Sequence, residues 1–249
     1  MEPFVMEIAG AAVGVEPRFE STRAYCAAYL TDREPDFSVT TCPEDLTFEQ
    51  DMADQEAKAE GFRRRKFPDP YLERTAIQRK IAEELFRNDV LVFHGSTVAV
   101  DGEGFLFTAK SGTGKSTHTR FWRETFGDRA VMVNDAKPFL RIAENGVLVC
   151  GAPWSGKHGL DTNITVPLKG SCILERGAEN QIRRATPKEA LFMLLQQSNR
   201  PLNPALMPKY LDLVDALANR VPLWHMTCNL DPRAAAVAWE TMSGRHCNM

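Results

Sequence analysis

The 249-residue sequence predicts an α/β fold: a mixed, hairpin-rich sheet carrying a phosphate-binding loop, preceded by a small α+β N-terminal region. Three observations predict it. Residues 105–108 (FLFT) are an apolar run leading into Ala109-Lys110-Ser111-Gly112-Thr113-Gly114-Lys115-Ser116, the strand–loop–helix order of a phosphate loop. Short β-rich runs flank turn signals at 101–104 (DGEG) and 144–146 (ENG), as hairpins do. Apolar residues also recur at helical spacing over 70–88, 187–197 and 207–219.

Taken in order, residues 4–15 read as an N-terminal strand or hairpin, and Ser21 as the cap of a helix over 22–30. Residues 37–41 are a strand expected to pair with the first. Residues 47–61, charged and poor in large apolar side chains, read as a solvated helix ending at Gly61, followed by the basic run Arg63-Arg64-Arg65-Lys66. The helix over 70–88 shows Leu72, Ile77, Ile81, Leu85 and Phe86 on one face. Helices give way to strands there, so the expected boundary separates 1–88 from 89–249. Strands follow at 91–93, 97–100 and 105–108, an antiparallel arrangement feeding the loop. A helix then runs to 126, with strands at 130–133, 139–142, 147–150, 164–166, 171–174 and 223–227, and a closing helix at 232–242.

Composition narrows the classes. Hydrophobic residues make up 43% and charged residues 25%, and the net charge is −3, which argues for neither nucleic acid nor an anionic membrane. Glu2 and Glu7 interrupt the N-terminus, so no signal peptide is expected, and no run approaches the ~20 apolar residues of a membrane span. Six scattered cysteines without a C-x-x-C pair read as reduced thiols of a cytoplasmic protein, not a zinc site.

The loop departs from G-x-x-x-x-G-K-[ST] only at its first position, Ala109. Gly112 and Gly114 let successive amides from Ser111 to Thr117 converge on an anion, with the helix N-terminus behind them. Lys115 can reach β/γ-phosphate oxygens, and the Ser116 hydroxyl suits Mg²⁺. Asp135 follows the apolar run 131–133. A carboxylate there can hold the metal through water or take a proton. His94 ends a strand expected to lie beside the loop strand, within reach of a phosphate. Lys157, in the glycine-flanked loop 151–161, is a candidate for neutralising charge on a transferring phosphoryl group. The alternative for Lys157 is an exposed surface lysine, and for Asp135 a turn-capping aspartate. The order of Asn134-Asp135-Ala136-Lys137 does not match a guanine-reading motif.

Phe93-His94-Gly95-Ser96, the hairpin around Gly102 and Gly104, the loop at 111–116 and Val133-Asn134-Asp135 together resemble the catalytic domain of HPr kinase/phosphorylase, a fold related to phosphoenolpyruvate carboxykinase. The resemblance covers roughly residues 90–175. It implies that Lys115 and the loop amides hold the phosphates of ATP, that Ser116 and Asp135 serve the metal, that His94 lies against the transferred phosphate, and that Asp135 is the base. The chain departs from the family at Thr117, where the family has a glutamate, and at Ala136, where it has a second aspartate. It also lacks a recognisable HPr-binding segment. The expectation is therefore a stand-alone, Mg²⁺-dependent kinase using ATP or a related donor, with ADP, GTP and pyrophosphate still open. The acceptor is a serine-type hydroxyl of a small molecule or peptide. The rival is a nucleotide-binding regulatory or maturation partner with little turnover; carboxykinase chemistry is a minor option. Related kinases often form oligomers, although the chain shows no interface signature.

Overall fold

In the computed structural model, which describes residues 1–247, the chain falls into two compact units, Met1–Glu84 and Leu85–Met249. Phe86 belongs to the core of the second unit, so the boundary precedes it and does not follow residue 88.

The first unit holds a three-stranded sheet of order β1-β2-β3, from β1 (Phe4–Ile8), β2 (Ala11–Glu16) and β3 (Phe37–Thr40). The stretch read as strand or hairpin is a hairpin, and β3 pairs in parallel with its second arm. Helix α1 (Glu20–Tyr25) starts before Ser21 and stops short of Leu30. Its N-cap is Phe19, without a side-chain cap, and a 3₁₀ turn covers Ala27–Tyr29. Helix α2 (Pro43–Glu60) begins earlier than expected because Pro43 opens it while Asp45 reaches back to the Cys42 amide; Gly61 closes it at φ 74°. Helix α3 (Asp69–Leu85) is tied to α2 by Arg79, which bonds Glu49 at 2.6 Å and Asp45 at 3.0 Å. Its C-terminal extension is a 3₁₀ turn, Phe86–Asn88, stopped by Asp89 at φ 59°. The buried Glu73 carboxylate accepts from the Arg18 amide and from the hydroxyls of Thr22 and Thr41.

The second unit is a mixed α/β layer structure built on a nine-stranded sheet. Its elements are β4 (Val90–Val92), β5 (Ser96–Val100), β6 (Glu103–Thr108), α4 (Lys115–Phe126), β7 (Ala130–Asn134), β8 (Phe139–Ala143), β9 (Gly146–Cys150), β10 (Thr165–Arg176), β11 (Gln181–Arg184), α5 (Pro187–Gln197), α6 (Met207–Arg220), β12 (Leu223–Cys228) and α7 (Arg233–Ser243). The path runs β4-β8-β9-β10-β6-β5-β7, with β12 beside β10 and β11 beside β12. Alternation sends the two faces to different cores. Phe105 and Phe107 of β6 join Trp122 and Phe126 of α4 and Trp239 of α7. Leu106 joins Met193 and Leu194 of α5 and Leu213 and Leu217 of α6. Helices therefore cover both faces.

Three expectations are corrected. The strand ending near His94, β4, pairs with β8 and not with the loop strand; β5 lies beside β6 instead. The two strands expected at 164–166 and 171–174 are one strand, β10. It bends at an irregularity between Leu168 and Gly170 and so passes from antiparallel pairing with β9 to parallel pairing with β6 and β12. Strand β11 was not expected, since QIRR offers no apolar alternation; it forms by pairing with β12.

Candidate functional site

Strand direction builds the site. β6, β10 and β12 run parallel, and β7, antiparallel to β5 as β6 is, points the same way. The C-terminal ends of four strands thus share one sheet edge, where open α/β sheets bind ligands. The loop leaves the end of β6, Asp135 the end of β7 and Arg176 the end of β10. β5 starts at this edge, so His94, Gly95 and Ser96 sit there too.

The loop itself curls through positive φ at Gly112 (75°) and Gly114 (123°), a conformation that side-chain-bearing residues rarely adopt. Gly114 is the N-cap of α4. No side chain caps that end and no acidic residue occupies its first turn, which leaves its amides and dipole suited to an anion. Lys115 Nζ donates to the Ala109 carbonyl at 3.0 Å, folded back along the loop. Ser116 and Thr117 are half-buried in the first turn, while Ser111 and Gly112 are exposed. Arg176 grips the loop from β10, its Nη2 donating to Gly112 O at 2.5 Å and its Nε to Thr113 O at 3.3 Å.

Asp135 is 7% exposed. Its Oδ1 accepts from Ser96 Oγ at 2.6 Å, and Ser96 Oγ is 2.8 Å from Thr119 Oγ1 on α4. Ser96 gives its one proton to Asp135, so the Thr119 hydroxyl, on α4, donates to Ser96 Oγ. A continuous hydrogen-bonded chain therefore runs from the carboxylate to the helix that begins in the loop. Asn134 fixes the turn beside it: its Nδ2 donates to Ala152 O at 2.7 Å, and its Oδ1 accepts from the amides of Ala136 (2.8 Å) and Lys137 (2.6 Å).

The loop 151–161 closes over the end of β7. The Asp135 amide donates to Leu160 O, the Thr162 amide to Val133 O, and Ser155 Oγ to the Asp161 carboxylate. Gly151 makes this approach possible, since a Cβ there would lie 1.9 Å from Thr162 O. Gly156 abuts Ala136, where a Cβ on the glycine would lie 3.2 Å from the alanine's. Lys157 follows, exposed, in a 3₁₀ turn, so it rides on the segment packed against Ala136.

His94 is solvent-accessible at the sheet edge, its carbonyl accepting from Thr108 Oγ1 at 2.9 Å. Desolvation of the ring, then the positive charges of Lys115 and Lys137, lower its pKa from 6.5 to about 4, so it is neutral at pH 7. His118 points away from the site. It is buried, accepts from Trp122 Nε1 at 3.1 Å and packs edge-on to Phe107; burial lowers its pKa to about 3.

No cluster of three or more His, Cys, Asp or Glu side chains suited to a metal occurs among the described residues. A divalent cation here would draw on Ser116, Asp135, water and a ligand's own phosphate oxygens, the usual manner of Mg²⁺. Lys115, Ser116, Asp135 and His94 come to one edge, with Lys157 on the adjoining loop. Ser96, Thr119, Asn134 and Arg176 were not singled out as site residues from sequence. Only Ser96 and Asn134 carried a signal, standing within the Phe93–Ser96 and Val133–Asp135 stretches.

No family model matches the chain, and no curated protein matches it. A solved structure shows a loose likeness. The HPr(Ser) kinase/phosphatase from Coxiella burnetii is 14% identical, aligning over 51% of this chain and 88% of that one, with a TM-score of 0.30. The mixed sheet with helices on both faces is consistent with an α/β nucleotide-binding fold. Among the described residues no helix is long and apolar enough to cross a membrane. At so low a TM-score the functional reading rests on the site's own geometry.

Proposed function

We propose that the second unit is a kinase-like domain that transfers the γ-phosphoryl group of ATP to a serine-type hydroxyl of a small molecule or peptide. The observation that carries this reading is the buried Asp135 carboxylate, joined through Ser96 and Thr119 to the phosphate-loop helix. In such a reaction the acceptor oxygen forms a bond to the γ-phosphorus, the bond to the ADP oxygen breaks, and Asp135 takes the hydroxyl proton. The loop amides and Lys115 hold the phosphates, Lys115 turning from Ala109 O to the ligand. His94 would offer its ring as a hydrogen-bonding partner for the ligand at the edge, and Lys157 would approach from the loop over Ala136. Mg²⁺, held by Ser116 and through water by Asp135, would neutralise charge on the donor's phosphates.

Asp135→Asn tests the reading. MgATP binding measured by calorimetry should change little, while transfer of labelled γ-phosphate to serine-type acceptors, or to water, should fall by about 10²–10⁴-fold. Unchanged turnover would remove Asp135 as the base. A second reading, a nucleotide-binding regulatory partner with weak turnover, is favoured by the small side chain at 136, where the resembled family carries a second aspartate. Ala136→Asp separates the two: a large gain in transfer marks position 136 as what limits a kinase, and no gain with intact nucleotide binding favours the partner.

A further inference from the structure

In the second unit, at the end of the sheet where β6 and β12 begin, lies a cavity of about 740 Å³, within the ~300–1,000 Å³ of small-molecule sites. It is remote from the phosphate loop, which leaves the far end of β6. Leu168, in the cavity wall, and Arg176, which grips the loop, are separated by about 26 Å of β10. We propose that this cavity is a second ligand site, taking a small organic anion that carries a carboxylate or phosphate on an apolar body.

Three observations carry it. The first is charge. Lys169, Arg184 and Arg220 border the cavity, and none of the described residues lining it is an aspartate or glutamate. Lys169 pairs with Glu103 at 3.4 Å, but neither arginine has a carboxylate partner among the described residues. Arg220 donates to the Ala143 carbonyl, and the Arg184 guanidinium stacks over the Trp224 ring, 4.0 Å from its centroid. The C-terminal ends of α6 and α7 also reach the cavity and favour cations. At about half a charge each, they offset only one of the two guanidiniums.

The second is an orphaned donor. The Trp224 indole Nε1 is buried, has no acceptor among the described residues, and belongs to a side chain of the cavity wall. A buried donor without an acceptor is costly, and a ligand oxygen would satisfy it. The indole nitrogen lies over Gly170 beside the Met242 methyl: a Cβ on the glycine would be 3.3 Å from the one and 3.0 Å from the other. Met242 lines the same wall and is unbranched, so it can turn aside to admit that oxygen. The third is the apolar surface. Leu148, Pro167, Leu168 and Pro222 share the wall, so a bare inorganic anion would leave most of the cavity unfilled, whereas an apolar body would bury that surface.

The experiment titrates naphthyl phosphate, naphthoate, neutral naphthalenemethanol and inorganic phosphate into the isotope-labelled full chain. Binding is followed by calorimetry and by the indole N–H resonances of the tryptophans, with Trp224 assigned through Trp224→Phe. The expected result is that at least one naphthyl anion binds and moves the Trp224 resonance downfield, as a new hydrogen bond does. Naphthalenemethanol and inorganic phosphate should act on that resonance at least about tenfold more weakly. Arg184→Gln and Arg220→Gln replace exposed side chains and do not threaten the fold; each should weaken the anion about tenfold, while Lys115→Ala leaves it unchanged. Failure of both anions to bind, an equal response to either control ligand, or affinity untouched by both arginine variants would overturn the inference. So would binding abolished by Lys115→Ala, which would put the anion in the phosphate loop and leave that reading standing.

Discussion

Ser96→Ala isolates the link between the candidate base and the phosphate loop. Ser96 is fully buried. Its hydroxyl is 2.6 Å from Asp135 Oδ1 and 2.8 Å from Thr119 Oγ1, so the substitution removes one bond to a carboxylate and one between hydroxyls. A hydrogen bond to a charged group contributes about 1.5–3 kcal/mol, and a neutral one about 1 kcal/mol. The oxygen lost is too small to leave a significant cavity. The expected destabilisation is therefore about 2–4 kcal/mol, which lowers Tm by roughly 4–16 °C for a unit of this size. The assay is favourable because all four tryptophans, Trp122, Trp154, Trp224 and Trp239, lie in the second unit, so fluorescence-detected urea unfolding reports on it alone. Combining Ser96→Ala with Asp135→Ala closes a double-mutant cycle whose coupling energy should be about 1.5–3 kcal/mol. A coupling below about 0.5 kcal/mol would mean that the short contact carries no energy, and the argument that Asp135 is positioned by the phosphate-loop helix would fail.

Other perturbations test other parts of the frame. His118 has its pKa lowered to about 3, so the unfolded chain binds its proton first and stability falls as pH drops below about 6.5. The loss between pH 6.5 and 5 should approach ~2 kcal/mol, and His118→Gln, which can still accept from Trp122, should flatten that slope in urea titrations at the two pH values. Gly151→Ala places a Cβ 1.9 Å from Thr162 O, against backbone, and should cost more than ~3 kcal/mol; a Tm within 2 °C of the parent would refute the close approach. Arg176→Ala releases the carbonyls of Gly112 and Thr113 from an exposed side chain. It should weaken tripolyphosphate binding by about 3–10-fold with little change in Tm, the range of one to two surface hydrogen bonds.

What could be read from the chain divides along a physical line. Local chemistry was legible. Gly112 and Gly114 announce a backbone of positive φ, Phe105-Leu106-Phe107 announces a strand buried on both faces, and Glu144-Asn145-Gly146 announces the β8–β9 turn, because each depends on a few adjacent residues. Pairing was not. Nothing in Val90-Leu91-Val92 distinguishes β8 from β6 as its partner, and the bend in β10 near Gly170 looks from sequence like a break between two strands. Even Ser21, a better capping residue than Phe19, loses to the Thr22 hydroxyl being drawn to Glu73, 51 positions away. The unanticipated site residues share this property. Ser96 reaches Asp135 across 39 positions and Arg176 reaches Gly112 across 64, contacts that exist only because β7, β6 and β10 end at one edge. That common edge is where the two kinds of information meet. The loop announces that an anion can be held, and the parallel alignment decides what stands beside it: a carboxylate held by Ser96 at the end of β7 and an arginine at the end of β10 that holds the loop's own carbonyls.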